Sequence, residues 1–389
     1  MNNKTIKITD EKILENNFTW MKLGDVALIK QGKELTKDKM NNFFEFPVMG
    51  GGVKPTGYYN DHNSAPGIVI AKVGHAAGFV NWLSGKFWCT GHCYTVESTN
   101  NKVLNKYLFY ILKLKQPRII SLRNGTTIPV INKDSLTDLL IPIPPLKIQE
   151  KIVSVLGAID LQIETSNKLK KTIFKKMQLD YEYILKQDHD YKVIELKDLI
   201  NNIATGLNAR KNFVLNTPDS NIPYITIKNI KNHDLVWNTD KINYDALTLI
   251  NNRSKIENHD ILFTSMIPVG STYMVNNYEN DYAINESIFI IKPDFEKLNS
   301  KILYMALQSK NTKRQTTNQA TGSIQKSIKM ENLLQVKLHI PSEKGIKLFL
   351  DRNQNLFDLW LSIEHKVKKL NETKNYLLPL LLNQQVIVQ

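Results

Sequence analysis

After a cluster of prolines the apolar residues return every third or fourth position. Pro142, Pro144 and Pro145 remove backbone donors and restrict the residue before each, which ends whatever structure precedes them. Beyond them Ile148, Ile152, Val155, Ile159, Ile163, Leu169, Ile173 and Met177 recur with charged residues between. That spacing predicts a long amphipathic helix over 146–188, weakened only at Gly157 and Ser166. A second stripe, Phe349, Leu356, Leu359, Ile363, Val367, Leu370 and Leu377, predicts another over 342–389. Helical stability comes mostly from packing an apolar face, so the two are expected to pack on each other. At 1.5 Å per residue each is a rod of roughly 60 Å, comparable with about 18 base pairs of duplex DNA.

The remaining chain follows a shorter rhythm. Within 20–145, the runs Gly67–Lys72 and Tyr94–Val96 read as strands and Asn105–Lys113 as a helix capped by its asparagine. Gly50-Gly51-Gly52 and Lys54-Pro55-Thr56-Gly57 mark loops. Within 189–341, Asp260–Thr264 answers to the Gly67 strand and Ala283–Ile291 to a later one. Both regions are mixed α+β, and residues 1–19 are left as an N-terminal arm.

These parallels extend along the chain. NKYLFYILK near 105 returns as SKILYMALQ near 300, and the segment from Gly125 to Pro144 returns as Gly322 to Pro341. Leu161-Gln-Ile-Glu164 returns as Leu361-Ser-Ile-Glu364. More loosely, Leu23-Gly24-Asp25 with Gly32 answers to Leu196-Lys197-Asp198 with Gly206. A period near 200 residues is too long for a solenoid, so each copy is a domain. Paired modules on one chain suit a target with two halves, and duplex DNA is such a target.

Charge supports that reading. Lys+Arg number 51 against 37 Asp+Glu, a formal charge of +14, which favours a polyanion because neutralised phosphates release counterions. The predicted helices carry little of the excess, so the two domains are the candidate nucleic-acid surfaces and the helices the spacers. No apolar run reaches the ~18 residues of a membrane span, and the polar start lacks the core of a signal peptide. Cys89 and Cys93 are the only cysteines, and together these features predict a cytoplasmic protein.

Catalytic motifs are missing: no phosphate-binding GxxxxGK[ST], no cofactor-binding glycine turn, no HExxH and no GxSxG. Cys89-Thr-Gly-His92-Cys93 offers thiols and an imidazole, yet a structural zinc site needs four ligands. No metal site is expected, and His92 is expected at phosphate or base edges. The rival reading is a nuclease or integrase using acidic pairs such as Asp25 with Glu34 or Asp281 with Glu286.

Candidate DNA contacts lie in loops that mix cations, amides, hydroxyls and aromatics. In the first domain they are Lys54, Tyr58, Tyr59, Asn60, Lys72, His75, His92, Arg118, Arg123, Asn124 and Thr126. In the second they are Asn208, Arg210, Lys211, Lys228, Asn229, Lys313, Arg314, Asn318, Gln319 and Ser323. Arg and Lys suit guanine edges, Asn and Gln adenine edges, and hydroxyls phosphate.

The opening Trp20-Met-Lys-Leu-Gly-Asp25, the segment Leu140-Ile-Pro-Ile-Pro-Pro-Leu-Lys-Ile-Gln-Glu150 and the duplication resemble the specificity subunits of type I restriction–modification systems. The resemblance covers essentially the whole chain. It implies two target recognition domains, 20–145 and 189–341, separated by two helices forming an antiparallel coiled coil with pseudo-two-fold repeat. It further implies a non-catalytic chain that reads a bipartite asymmetric DNA target and docks two modification subunits that methylate adenine. S-adenosylmethionine, and ATP with magnesium in restriction subunits, would be bound by partners and not by this chain. A specificity module of another modification system is the alternative with the same DNA role. The second junction, Ile340-Pro341-Ser342-Glu343, departs from the pattern by lacking the Pro-Pro-Leu and Gln-Glu.

Overall fold

The computed structural model describes residues 18–125, 127–279, 281–322 and 326–383. Most of the proposed N-terminal arm therefore lies outside the described residues. The chain forms two compact units, one running to Glu164 and resuming at Lys369, the other spanning Thr165–Lys368.

In the first unit, Thr19–Lys22 pairs antiparallel with Leu140–Ile143. A four-stranded antiparallel sheet runs Ala27–Gln31, Cys93–Ser98, Gly67–Ala71, Val80–Leu83 in spatial order. A smaller sheet runs Gly57–Tyr59, Phe46–Met49, Trp88–Cys89, its last pair parallel. Side chains alternate across a strand, so the apolar run of Gly67–Ala71 serves two cores. Ile68 and Ile70 pack with the helix Asn105–Leu114, while Val69 joins Met49, Phe87, Cys89 and Cys93.

The second unit repeats this plan strand for strand. Lys192–Glu195 pairs with Lys337–Ile340. Its main sheet runs Ile200–Thr205, Ile288–Pro293, Ile261–Thr264, Thr272–Met274, and its smaller one Lys241–Ile242, Ile222–Ile225, Ala283–Ile284, the last pair again parallel. Ile261 and Phe263 face one core and Leu262 another, as in the first unit. The expected strand Ala283–Ile291 is thus two strands in different sheets, divided at Asn285–Ser287. New here is a hairpin, Ile230–Lys231 with Asp234–Leu235, turned by Asn232 and His233 at φ 51° and 68°, the left-handed pair that a two-residue hairpin favours.

The long helices span Leu146–Gln187 and Glu343–Leu382. In the first unit Ile152 and Leu156 share a core with Leu381 and Leu382, and Lys374 pairs with Asp160. In the second, Ile173, Phe174, Met177 and Tyr181 meet Phe349, Phe357, Trp360 and Ile363, with Lys176 hydrogen-bonded to Asn353 and Lys170 to Glu364. Partner numbers fall as helix numbers rise, so the pairing is antiparallel in each unit. The seam differs from the expected stripe at Leu169 and Leu359, which are 46% and 43% exposed. A straight helix drifts about 20° per heptad against a 3.5-residue repeat, and burial passes instead to Ser166, Lys170, Phe357 and Trp360. Ile148, Val155, Leu356 and Val367 flank the cores, and Ile159, Ile163 and Leu370 are half-buried.

The Gln149 side chain explains the motif that contains it. Fully buried, its amide donates to the Lys102 and Pro144 carbonyls, and its oxygen accepts from the Leu104 N–H at 2.9 Å. Leu104, not Asn105, is the cap of the following helix; Asn105 instead accepts from the Ser98 N–H. The second unit lacks that glutamine and caps the equivalent helix, Ser300–Gln308, with Asn299, whose side chain accepts from the Lys301 N–H. There the C-terminal helix begins where Asp188 accepts from the Ser342 N–H at 2.7 Å.

Candidate nucleic-acid interface

Backbone hydrogen bonds gather several loops of the first unit at the ends of the sheet strands. The Lys72 N–H donates to the His92 carbonyl at 2.8 Å, and the Lys72 carbonyl accepts from the Ile131 N–H at 2.9 Å. The Gly74 N–H donates to the Pro129 carbonyl, and the Asn124 N–H to that of Val130. Gly51 lies so close that a β-carbon there would overlap the Val73 carbonyl. Lys54, His75, His92 and Asn124 are exposed on these loops, and the Lys72 ammonium lies 5.7 Å from the Tyr94 ring centre. Tyr58 and Asn60 are exposed nearby on the smaller sheet's edge, whereas Tyr59 packs edge-on against Trp88. Arg118 is exposed on the short helix Gln116–Ile120.

The same bonds recur in the second unit between different residues. The Ser265 N–H donates to the Ser287 carbonyl at 3.0 Å, and the Ser265 carbonyl accepts from the Ile328 N–H at 2.8 Å. Met266 and Thr321 both bridge to Ser327, as Val73 and Asn124 do to Val130. The Asn285 N–H donates to the Ile225 carbonyl, matching Thr90 on Met49. Lys228 is therefore exposed on the counterpart of the triple-glycine loop. Asn208 reaches this rim through a 2.7 Å bond from its amide to Glu286, and Arg210 and Lys211 are exposed on the short helix that Asn208 caps.

The family described as "Type I restriction modification DNA specificity domain" matches residues 15–175 and again 188–375. The chain belongs to this family. A putative type I specificity subunit of Mycoplasma pneumoniae is 25% identical over 335 residues, covering 83% of this chain and 85% of that protein. The MjaVIII type I restriction enzyme specificity subunit of Methanocaldococcus jannaschii is 25% identical over 320 residues, 76% of this chain and 73% of that one. The crystal structure of the M. genitalium type I restriction–modification S subunit shares the fold, with a TM-score of 0.57 at 19% identity, covering 97% of this chain and 99% of that one.

In this specificity subunit, two candidate contacts are committed to holding loops. The Arg123 guanidinium donates to the Ala77 carbonyl through Nε at 2.8 Å and to the His75 carbonyl through Nη2 at 3.0 Å. Asn229 is buried in a capping box with Thr226 and donates to the Val236 carbonyl. Both side chains therefore hold neighbouring loops through bonds within the protein. Lys313, Arg314 and Asn318 are exposed on the helix Lys310–Gln319, with Gln319 half-buried at its end. Thr126 and Ser323 lie outside the described residues.

Sequence reasoning missed Ser265, Met266 and Ser287, the second-unit counterparts of Lys72, Val73 and His92. The signal is positional: Asp260–Thr264 answers to the Gly67 strand, so the residue after it answers to Lys72. Of the rival acidic pairs, Asp281 bonds to Lys368 at 2.9 Å and Glu286 to Asn208. The Cys93 thiol lies 2.6 Å from the Gly50 carbonyl oxygen, and its contact with Cys89, together with burial, raises its pKa and keeps it neutral. Among the described residues no group of three or more His, Cys, Asp or Glu is placed to hold a metal, and no helix is long and apolar enough to cross a membrane.

Proposed function

We propose that the two recognition domains each read one half of a bipartite, asymmetric DNA sequence, through the rims at their strand ends. The observation that carries this reading is a strand order and a set of strand-end backbone bonds that recur around unlike side chains: Lys72 and His92 on one rim, Ser265 and Ser287 on the other. A constant frame with divergent loops suits two different half-sites. The long helices act as spacer and as docking surface for two modification subunits. Adenine methylation with S-adenosylmethionine, and cleavage with ATP and magnesium by restriction subunits, belong to the partners in the cytoplasm. The rim side chains left exposed, among them Lys54, His75, His92, Asn124, Arg210 and Lys228, are the proposed contacts.

The test is methylome sequencing of cells carrying this gene with its methyltransferase, against a deletion of this gene alone. Loss of N6-methyladenine from one split motif is expected. An unchanged methylome in cells that make the protein and its partner overturns the reading.

A further inference from the structure

The positive charge of the central helix is segregated. From Leu146 to Glu164 it carries two lysines against three acidic residues, and from Thr165 to Gln187 six lysines against two. One of those six, Lys170, is buried and paired. Lys171 and Lys175 are exposed, one turn apart, and line a shallow groove on a single helix face with Leu179 and Asp180, whose carboxylate pairs with Lys176.

A second basic element flanks this face. The helix Lys310–Gln319 meets the central helix at Glu182, which accepts from the Lys310 N–H at 3.3 Å and lies 3.3 Å from the Lys310 ammonium, and just ahead of that helix Gln178 donates to the Gln308 carbonyl at 3.1 Å. Lys313 and Arg314 are exposed on it. Although the side chain is exposed, neighbouring atoms partly desolvate the Lys313 ammonium and lower its pKa; Glu182 opposes that and Lys175 adds to the lowering. Lys310 and Lys313 thus share the one carboxylate of Glu182, with Lys175 close enough to Lys313 to repel it. Lys310–Gln319 leads directly into Thr321, which belongs to the second recognition rim.

We infer that the central helix binds DNA itself: Lys171 and Lys175, joined to the rim of the second domain by Lys313 and Arg314, form a phosphate-binding stripe that reads no sequence. The inference rests on the DNA-recognition reading and extends it to the helix so far treated as a spacer. Phosphodiester oxygens fit because they neutralise a cluster that has too few acidic partners, and lysine serves phosphate as a point charge without demanding a base edge. The stripe adds affinity to target and non-target DNA alike.

The test uses the full chain assembled with its modification subunits, a duplex carrying the methylated motif and a scrambled duplex of equal length. Binding of wild type, K171Q/K175Q and K171R/K175R is titrated against salt. The glutamine variant is expected to lower the slope of log K on log salt by about 2, near 0.9 per phosphate lost. It should weaken both duplexes by the same factor, and the arginine variant should restore the slope. Four results overturn the inference: an unchanged slope, a loss confined to the motif duplex, an unrestored slope in the arginine variant, or loss of the modification subunits with an unchanged slope, which makes the stripe a protein-docking face. If wild type itself fails to prefer the motif, the recognition reading fails instead, and the slope on either duplex still decides the stripe.

Discussion

The Glu364 carboxylate lies 3.3 Å from the Lys170 ammonium, joining the two long helices inside the second unit. Asp234, from the hairpin that among the described residues only this unit has, takes the same ammonium, which also lies 4.8 Å from the Trp360 ring centre. Beside it the His233 ring lies 3.8 Å from that of Phe174 and shares a 2.9 Å hydrogen bond with the Tyr304 hydroxyl. The recognition domain is thus clamped to its helices by one lysine between two carboxylates.

Glu364 is pushed up to about 7, chiefly by burial, with Lys170 working against it. A carboxyl whose folded value exceeds its unfolded one favours folding below the unfolded value, near 4.5, and loses that contribution as pH rises through 7. Stability of the wild-type second unit should therefore decline across pH 4.5–7, by up to about 3 kcal/mol from this group. Urea titrations of E364Q should lack that decline; parallel pH profiles for the two proteins would refute the assignment.

Removing the shared cation should be costly. K170M removes the cation that holds Glu364 down, so Glu364 takes up a proton and Asp234 is left without its counter-charge; breaking a buried pair this way costs about 3–5 kcal/mol. The triple variant K170M/D234N/E364Q should recover much of that loss. Thermal unfolding distinguishes this from simple loss of packing, which the triple variant would not repair.

Gly32 and Gly206 fill equivalent places, each against the backbone of a facing strand end. A β-carbon would overlap the Cys89 carbonyl at the first and the Ile284 carbonyl at the second. G32A and G206A should each destabilise by about 2 kcal/mol or more, since backbone cannot yield as a flexible side chain does. G85A, which meets nothing within 4 Å, should change stability by less than about 1 kcal/mol. Equal unfolding midpoints for all three would contradict the close approach.

Arg123 and Arg118 separate scaffold from contact. R123A frees the His75 and Ala77 carbonyls and should lower protease resistance of the 74–78 loop even without DNA. R118A should leave that resistance intact and reduce the salt slope of DNA binding by about 1. Identical behaviour of the two variants would remove the distinction.

Much of the architecture could be read from the chain. Apolar period located both long helices, and the duplicated segments located the two domains, because those positions are fixed by packing that both copies share. Gln149 stood out as part of a motif, although its clamp on Leu104 required three-dimensional contacts to see. The rim was only half legible. Lys72 and His92 announce themselves as a cation and an imidazole, whereas Ser265 and Ser287 occupy the same places with side chains that suit any loop. His233 misled in the opposite direction: Lys231-Asn232-His233-Asp234 reads as a polar surface turn, yet the ring and carboxylate are drawn against Phe174 and Lys170. Leu169 and Leu359 stand outside the buried seam because a strict stripe does not carry the slow rotation of a straight helix.

The interlaced composition of the units bears on the order in which the protein can be completed. Ile152 and Leu156 need Leu381 and Leu382 to finish their core, so the domain whose strands leave the ribosome first is sealed last, after the entire second domain has been synthesised. Until then the helix face of Ile152 and Leu156 lacks these partners, and a premature stop between the first domain and Leu381 would release a product without them.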